Sequence, residues 1–167
     1  MALVLKNLQN VVRLNLVQIE KDVRILRRLF EIERFDVSFL FVTNDYIARL
    51  NQEYRQVEGP TDVLAFPALE IAVPGVFPID GEDDGHELDL GDVCLAPAYI
   101  QQQCWLHNDS FNDVLMATAA HGLCHLIGHD HETETQWQRM VETERDILSR
   151  FNKLTGHNSR PLTGVGH

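Results

Sequence analysis

The stretch Phe111-Asn-Asp-Val-Leu-Met-Ala-Thr-Ala-Ala-His-Gly-Leu-Cys-His-Leu-Ile-Gly-His-Asp-His131 decides the fold. From Phe111 to Ile127 it is apolar nearly all round, through Val114, Leu115, Met116, Ala117, Ala119, Ala120, Leu123, Leu126 and Ile127. A helix without a polar face is a buried helix, so the pattern predicts a central helix with the remaining elements packed on it. That helix carries His121 and His125. At 3.6 residues per turn they stand one above the other, about 6 Å apart along the axis. Buried imidazoles must find partners, and a shared metal ion supplies one. Gly128 bears no Cβ penalty at positive φ, so it can end the helix and reverse the chain. The reversal would bring His131 to the same ion. Three neutral nitrogen donors leave one tetrahedral position open, the arrangement of a catalytic zinc rather than a structural one. His121, His125 and His131 are therefore the candidate metal ligands. Nickel and copper share the taste for imidazole, so zinc is the expectation from geometry and availability.

The neighbours of these histidines divide into roles. Cys124 lies between two candidate ligands but points another way on the helix, and reads as a buried, inert thiol. Asp130 is either a carboxylate orienting a ligand imidazole or a turn residue. His129, next to the turn, is expected to point away from the ion. His157 and His167 read as stray surface histidines in the tail. The spacing H-x-x-x-H-x-x-G-x-x-H is that of the metzincin peptidases with one difference. The residue after their first histidine is the general-base glutamate, and here it is Gly122.

Outward from the helix, periodicity predicts the other elements. Leu3 to Leu8 reads as a strand and Val17 to Ile32 as a helix with one buried face. Phe35 to Val42 is a Val- and Phe-rich strand, and Thr43 or Asn44 caps a helix through Tyr54. Asp62 to Phe66 is a strand closed by Pro67, and Leu90 to Leu95 another. Residues 68–88 form a long Gly- and Pro-containing loop. Pro97 suits the first turn of a helix to about Leu106. Thr133-Glu-Thr-Gln136 is a capping box opening a last helix with Trp137, Met140, Val141, Ile147 and Leu148 on its inner face. The expectation is a single α+β domain over residues 1–155: a mixed sheet of about four strands flanked by helices, one of them a zincin-like metal helix. Residues 156–167 are expected to form a loose C-terminal tail.

The 167 residues carry a net charge of −11, which argues against a generic nucleic-acid coat. The charge is uneven: residues 1–34 hold seven basic and four acidic side chains, a net of +3, which leaves −14 on the rest. The basic N-terminal helix is the best candidate for an RNA-facing patch, and the acidic run Asp80 to Asp89 reads as a solvated loop. Three cysteines without a C-x-x-C pair point to a reducing compartment. No apolar run is long enough to span a bilayer, so no membrane association is expected. Met1 to Ile19 lacks the pattern of a signal peptide. It holds Lys6 and Arg13 and no acid, a hint of organelle import.

Without a base at position 122, peptide hydrolysis lacks its proton shuttle to the leaving amine. Phosphodiester cleavage asks instead for charge stabilisation on phosphoryl oxygens, which a planar arginine provides. Arg55 ends a helix just before a loop and strand, and could reach a central cleft.

Taken together, Tyr54-Arg55, Thr61-Asp-Val-Leu-Ala-Phe66, Leu90-Gly-Asp92 and the histidine run resemble the YbeY family of endoribonucleases, the rRNA maturation factors. The resemblance covers nearly the whole chain. It implies a mixed sheet of about four strands, one zinc on His121, His125 and His131, and Arg55 as the functional (catalytic) arginine. It implies single-strand RNA cleavage during ribosomal RNA maturation, with a small-subunit ribosomal protein as partner and no organic cofactor. Two departures bear on substrate fit: Ala65 stands where the family usually has Ser, and His129 where it usually has Tyr or Phe. The opening residues and acidic loop look more like the animal, organelle-directed form, which implies a mitochondrial rather than cytoplasmic location. The competing readings are a metal-stabilised, non-catalytic ribosome assembly factor and, behind it, a metzincin-like metallopeptidase.

Overall fold

The computed structural model describes residues 2–77 and 88–163. Most of the long loop and its acidic run, from 78 to 87, and the end of the tail with His167, lie outside the described residues.

The chain runs β1 (Leu3–Asn7), α1 (Leu16–Leu29), β2 (Phe35–Phe41), α2 (Asn44–Arg55), β3 (Val63–Pro67), β4 (Leu88–Leu95), α3 (Pro97–His107), α4 (Phe111–Leu126) and α5 (Glu134–Thr155). The four strands form one mixed sheet in the order β1-β2-β4-β3. β1, β2 and β4 are parallel, while β3 pairs with β4 antiparallel and forms an edge. This is the α+β architecture expected from the sequence.

Local chemistry sets the element ends. Thr43 accepts a hydrogen bond from the Tyr46 amide at the start of α2, and Thr133 with Gln136 makes a reciprocal capping box on α5. Pro97 occupies the first turn of α3, where its missing N–H costs nothing.

β2 alternates strictly. Phe35, Val37, Phe39 and Phe41 are buried in the main core, in one cluster with Leu26, Leu115, Met116, Ala120, Leu123, Met140 and Phe151. A smaller cluster on the other face gathers Val42, Ile47, Leu64, Cys94 and Ala96 under α2. α4 is buried from Leu115 to Cys124, as its unbroken apolarity requires. Cys94, Cys104 and Cys124 are buried free thiols. Among the described residues no helix is long and apolar enough to cross a membrane.

Three expectations give way. Val17 and Trp137 face solvent rather than the core; the buried faces of α1 and α5 are completed instead by the polar residues Asp22, Arg27 and Glu144. The tail is not loose as far as it is described. Ser159 exchanges hydrogen bonds with Asn152 (2.9 and 3.0 Å), its hydroxyl donates to the Asp113 carbonyl (2.7 Å), and the Leu162 amide donates to Glu144 (3.1 Å). Nor is His157 a stray surface side chain. Its ring lies 2.7 Å from Asp113 and 2.9 Å from Asp22, and stacks on Phe151. Turn chemistry and side-chain partners hold residues 156–163 as a strap across α1, α4 and α5.

Burial disfavours the charged form of His157, but hydrogen bonds and charge from Asp113 and Asp22 outweigh it, so its pKa is raised. A raised folded-state pKa adds stability that is complete below the ordinary histidine value and fades as pH rises through the raised one. The melting temperature of the parent should therefore exceed that of His157→Gln at about pH 6, and the gap should shrink by about pH 9. A gap that widens with pH, read by thermal denaturation, would contradict this pairing.

Candidate metal centre

α4 places His121 and His125 one turn apart on the side facing a broad cleft. The helix then ends as the spacing predicted. Gly128 adopts φ +103°, its amide donates to the His125 carbonyl, and the His129 amide reaches back to the Cys124 carbonyl. That is a Schellman closure, and it needs a residue without a Cβ. The chain reverses and delivers His131: its ring centroid lies 5.3 Å from that of His125 and 6.0 Å from that of His121. Ring nitrogens of the three histidines all fall within 4.8 Å of one another.

The outer nitrogens are already engaged. His125 Nδ1 donates to the His129 carbonyl at 3.0 Å. His121 Nδ1 lies 3.3 Å from Glu144 Oε1 and 3.0 Å from Thr163 Oγ1. Burial would raise the Glu144 pKa, but hydrogen bonds from His121, the Thr163 hydroxyl and the Leu162 amide prevail, and it is lowered. Glu144 is thus an acceptor, and both imidazoles carry their proton on Nδ1. The Nε2 atoms of the two rings then face each other at 3.2 Å. Two imidazole nitrogens at that distance must share a cation, a proton or a metal ion. An ion bound tetrahedrally at 2.0–2.1 Å spaces its nitrogen ligands about 3.3 Å apart, so the donor set fits a metal. Burial, and then the charges of His121 and His131, push the His125 pKa down to about 4. The ring stays neutral near pH 7, as a ligand must.

The neighbours settle into roles. Asp130 accepts the His131 amide at 2.8 Å, which makes it a turn residue. His129 contributes its carbonyl to the site, and its ring is not among the three that converge. The carboxylate behind the metal helix is Glu144, fully buried on α5, which reading for motifs missed. A signal was present: Met140, Val141, Glu144, Ile147 and Leu148 form one apolar stripe with an acid in its middle. Thr163 was missed as well, because the tail reads as unstructured.

Gly122 also has a packing reason. A Cβ there would come 2.6 Å from Val93 Cγ1, so this position faces the sheet. A glutamate restored at 122 would point into the Val93 and Val63 side chains, which removes the basis for a latent peptidase site.

The cleft measures about 1250 Å³ and brings the histidine trio together with Arg55, exposed at the end of α2, and with Ala65 of β3. Arg55 reaches this wall because Gln56 turns the chain in the left-handed region directly after it.

A family model described as Endoribonuclease YbeY matches residues 4–152. The chain belongs to the YbeY family. A human relative bearing that name is 40% identical over 163 residues, spanning 98% of this chain and 96% of its own. A relative of the same name from Thermoanaerobacter pseudethanolicus is 33% identical over 136 residues, covering 80% and 86% of the two chains. The solution structure of TM1509 from Thermotoga maritima superposes with a TM-score of 0.55 at 21% identity, over 95% of this chain and 98% of that one. That likeness concerns the fold. The strap lies beyond the residues that the YbeY model matches.

Two outcomes test this geometry. Glu144→Gln should weaken metal binding by about 10- to 100-fold in a competition with a chromogenic chelator. Gly122→Ala should cost about 1–3 kcal/mol in urea denaturation because the sheet cannot yield to the added methyl. Unchanged affinity or unchanged stability would refute the respective role.

Proposed function

We propose that the chain is a zinc-dependent endoribonuclease that cuts single-stranded ribosomal RNA during ribosome maturation. The observation that carries the reading is the opposed Nε2 pair of His121 and His125 in a cleft shared with Arg55. Membership of the YbeY family, whose relatives are named endoribonucleases, supports the substrate class. His121, His125 and His131 would hold the ion. Bound zinc would supply a Lewis acid for the phosphoryl group and lower the pKa of a water toward neutrality. Arg55 holds the scissile phosphate through paired N–H donors and offsets its charge. The acceptors at the two Nδ1 atoms keep the imidazoles aimed at the ion. Gly122 contributes no base, which phosphoryl transfer tolerates better than peptide hydrolysis.

A small-subunit ribosomal protein as partner and a mitochondrial location belong to the same proposal. The opening residues, with Lys6 and Arg13 and no acid up to Ile19, support the organellar setting.

Arg55→Ala and His125→Ala should each lower cleavage of a single-stranded rRNA fragment by at least about a hundredfold. His125→Ala should also lose its bound metal, whereas Arg55→Ala should keep it. Variants that cut as well as the parent would show the nuclease to be a contaminant.

A further inference from the structure

The wall of the cleft is a poor surface for a polyanion. Asp62, Asp109, Asp113, Asp130 and Glu132 line it, and among the described residues its permanent cations are Arg55 and Arg160. A nucleic-acid backbone gains binding energy where cations face its phosphates, so each of these arginines counts.

Arg160 sits on the strap, and the strap is built to hold it. Ser159 beside it is 5 % exposed and tied to both Asn152 and Asp113. Thr163 beyond it is 4 % exposed and reaches His121 Nδ1. Between these anchors the Arg160 side chain is exposed, and no carboxylate among the described residues pairs with it. A free guanidinium on a pinned backbone loses little entropy on taking a ligand, and its planar fork matches a phosphate. Arg55 comes from the end of α2 and Arg160 from beyond α5, so the two approach the cleft from different elements.

We propose that Arg160 is a second phosphate-binding side chain, gripping the RNA backbone at a nucleotide other than the one Arg55 holds. This rests on the endoribonuclease reading, and it gives the strap a purpose beyond covering α4.

The test is binding of a fluorescent, 2′-O-methylated single-stranded oligoribonucleotide to the metal-loaded full chain across a salt series, with probe integrity checked on a gel. Parent, Arg55→Ala, Arg160→Ala and the double variant are compared, and metal content is measured for each. Arg160→Ala should bind about five- to twentyfold more weakly. Its log–log salt slope should shrink by about 0.7, one single-strand phosphate contact. Metal content should not change, and the double variant should lose the product of the two single effects. Parent-like affinity and slope for Arg160→Ala, alongside weakened Arg55→Ala, overturns the assignment and leaves the reading of the cleft standing. Weakened binding accompanied by lost metal also overturns it, because Arg160 would then act through the strap on His121. Failure of the parent itself to bind brings down the endoribonuclease reading together with this one.

Discussion

Two facing ring nitrogens, His121 Nε2 and His125 Nε2, are held 3.2 Å apart in a part-buried wall. The rest of the structure depends on that constraint. Each ring has its proton fixed on the opposite nitrogen by an acceptor, Glu144 for one and the His129 carbonyl for the other. With the outer nitrogens so engaged, the inner pair must share a single cation. Leaving them opposed inside a protein is costly, and an ion between them turns the cost into a binding energy. The fold spends its most buried helix on this arrangement, and helix α4 is packed too tightly on the sheet to splay the rings apart.

Each histidine is supported in a different currency. His121 has a side-chain support, a carboxylate on α5 backed by the strap through Leu162 and Thr163. His125 has a backbone support, the carbonyl of His129, which exists because Gly128 closes the helix as a Schellman turn. His131 is set by the turn itself, with Asp130 accepting its amide. A carboxylate acceptor makes an imidazole more basic than a carbonyl does. His121 has the carboxylate support, and the segment that backs it arrives last in the chain. The strap joins the C-terminus to the centre of the molecule, and His157 locks it between Asp22 of α1 and Asp113 of α4.

Most of this fold was legible in the sequence because hydrophobic period and local caps carry it. The apolar run from Phe111 to Ile127 marked a buried helix, the alternation of Phe35, Val37, Phe39 and Phe41 a half-covered strand, and Gly128 a reversal. The histidine trio was legible for the same reason: its spacing is a statement about helical geometry. What escaped depends on contacts distant in sequence. Glu144 lies 23 residues from the imidazole it orients. Nothing local distinguishes it from a solvent-facing acid except its place in an apolar stripe. The strap escaped because Gly156, Asn158, Ser159 and Pro161 are loop-formers by composition. Here the polar groups of Gly156, Asn158 and Ser159 find partners on α4 and α5, and polar partnering leaves no periodic trace. Val17 and Trp137 were misplaced for the converse reason, since hydrophobicity alone does not reveal that Asp22 and Glu144 claim the buried positions.

The residue that separates this cleft from a peptidase is Gly122, and the structure shows that its smallness is structural before it is chemical. In a helix that packs against β3 and β4, position 122 lies close on the sheet, with Val93 filling the space where a side chain would begin. A glutamate could not reach the ion from there without pushing the helix off the sheet, which would carry His121 and His125 with it. The close packing that holds the histidine trio therefore forbids the general base of the metzincin pattern. Chemistry in this cleft must obtain its charge stabilisation from outside α4. Among the described residues the permanent cations lining the cleft are Arg55 and Arg160, borne on other elements, and a guanidinium suits a phosphodiester better than an amide, because the charge to be stabilised is already spread over phosphoryl oxygens that it can fork.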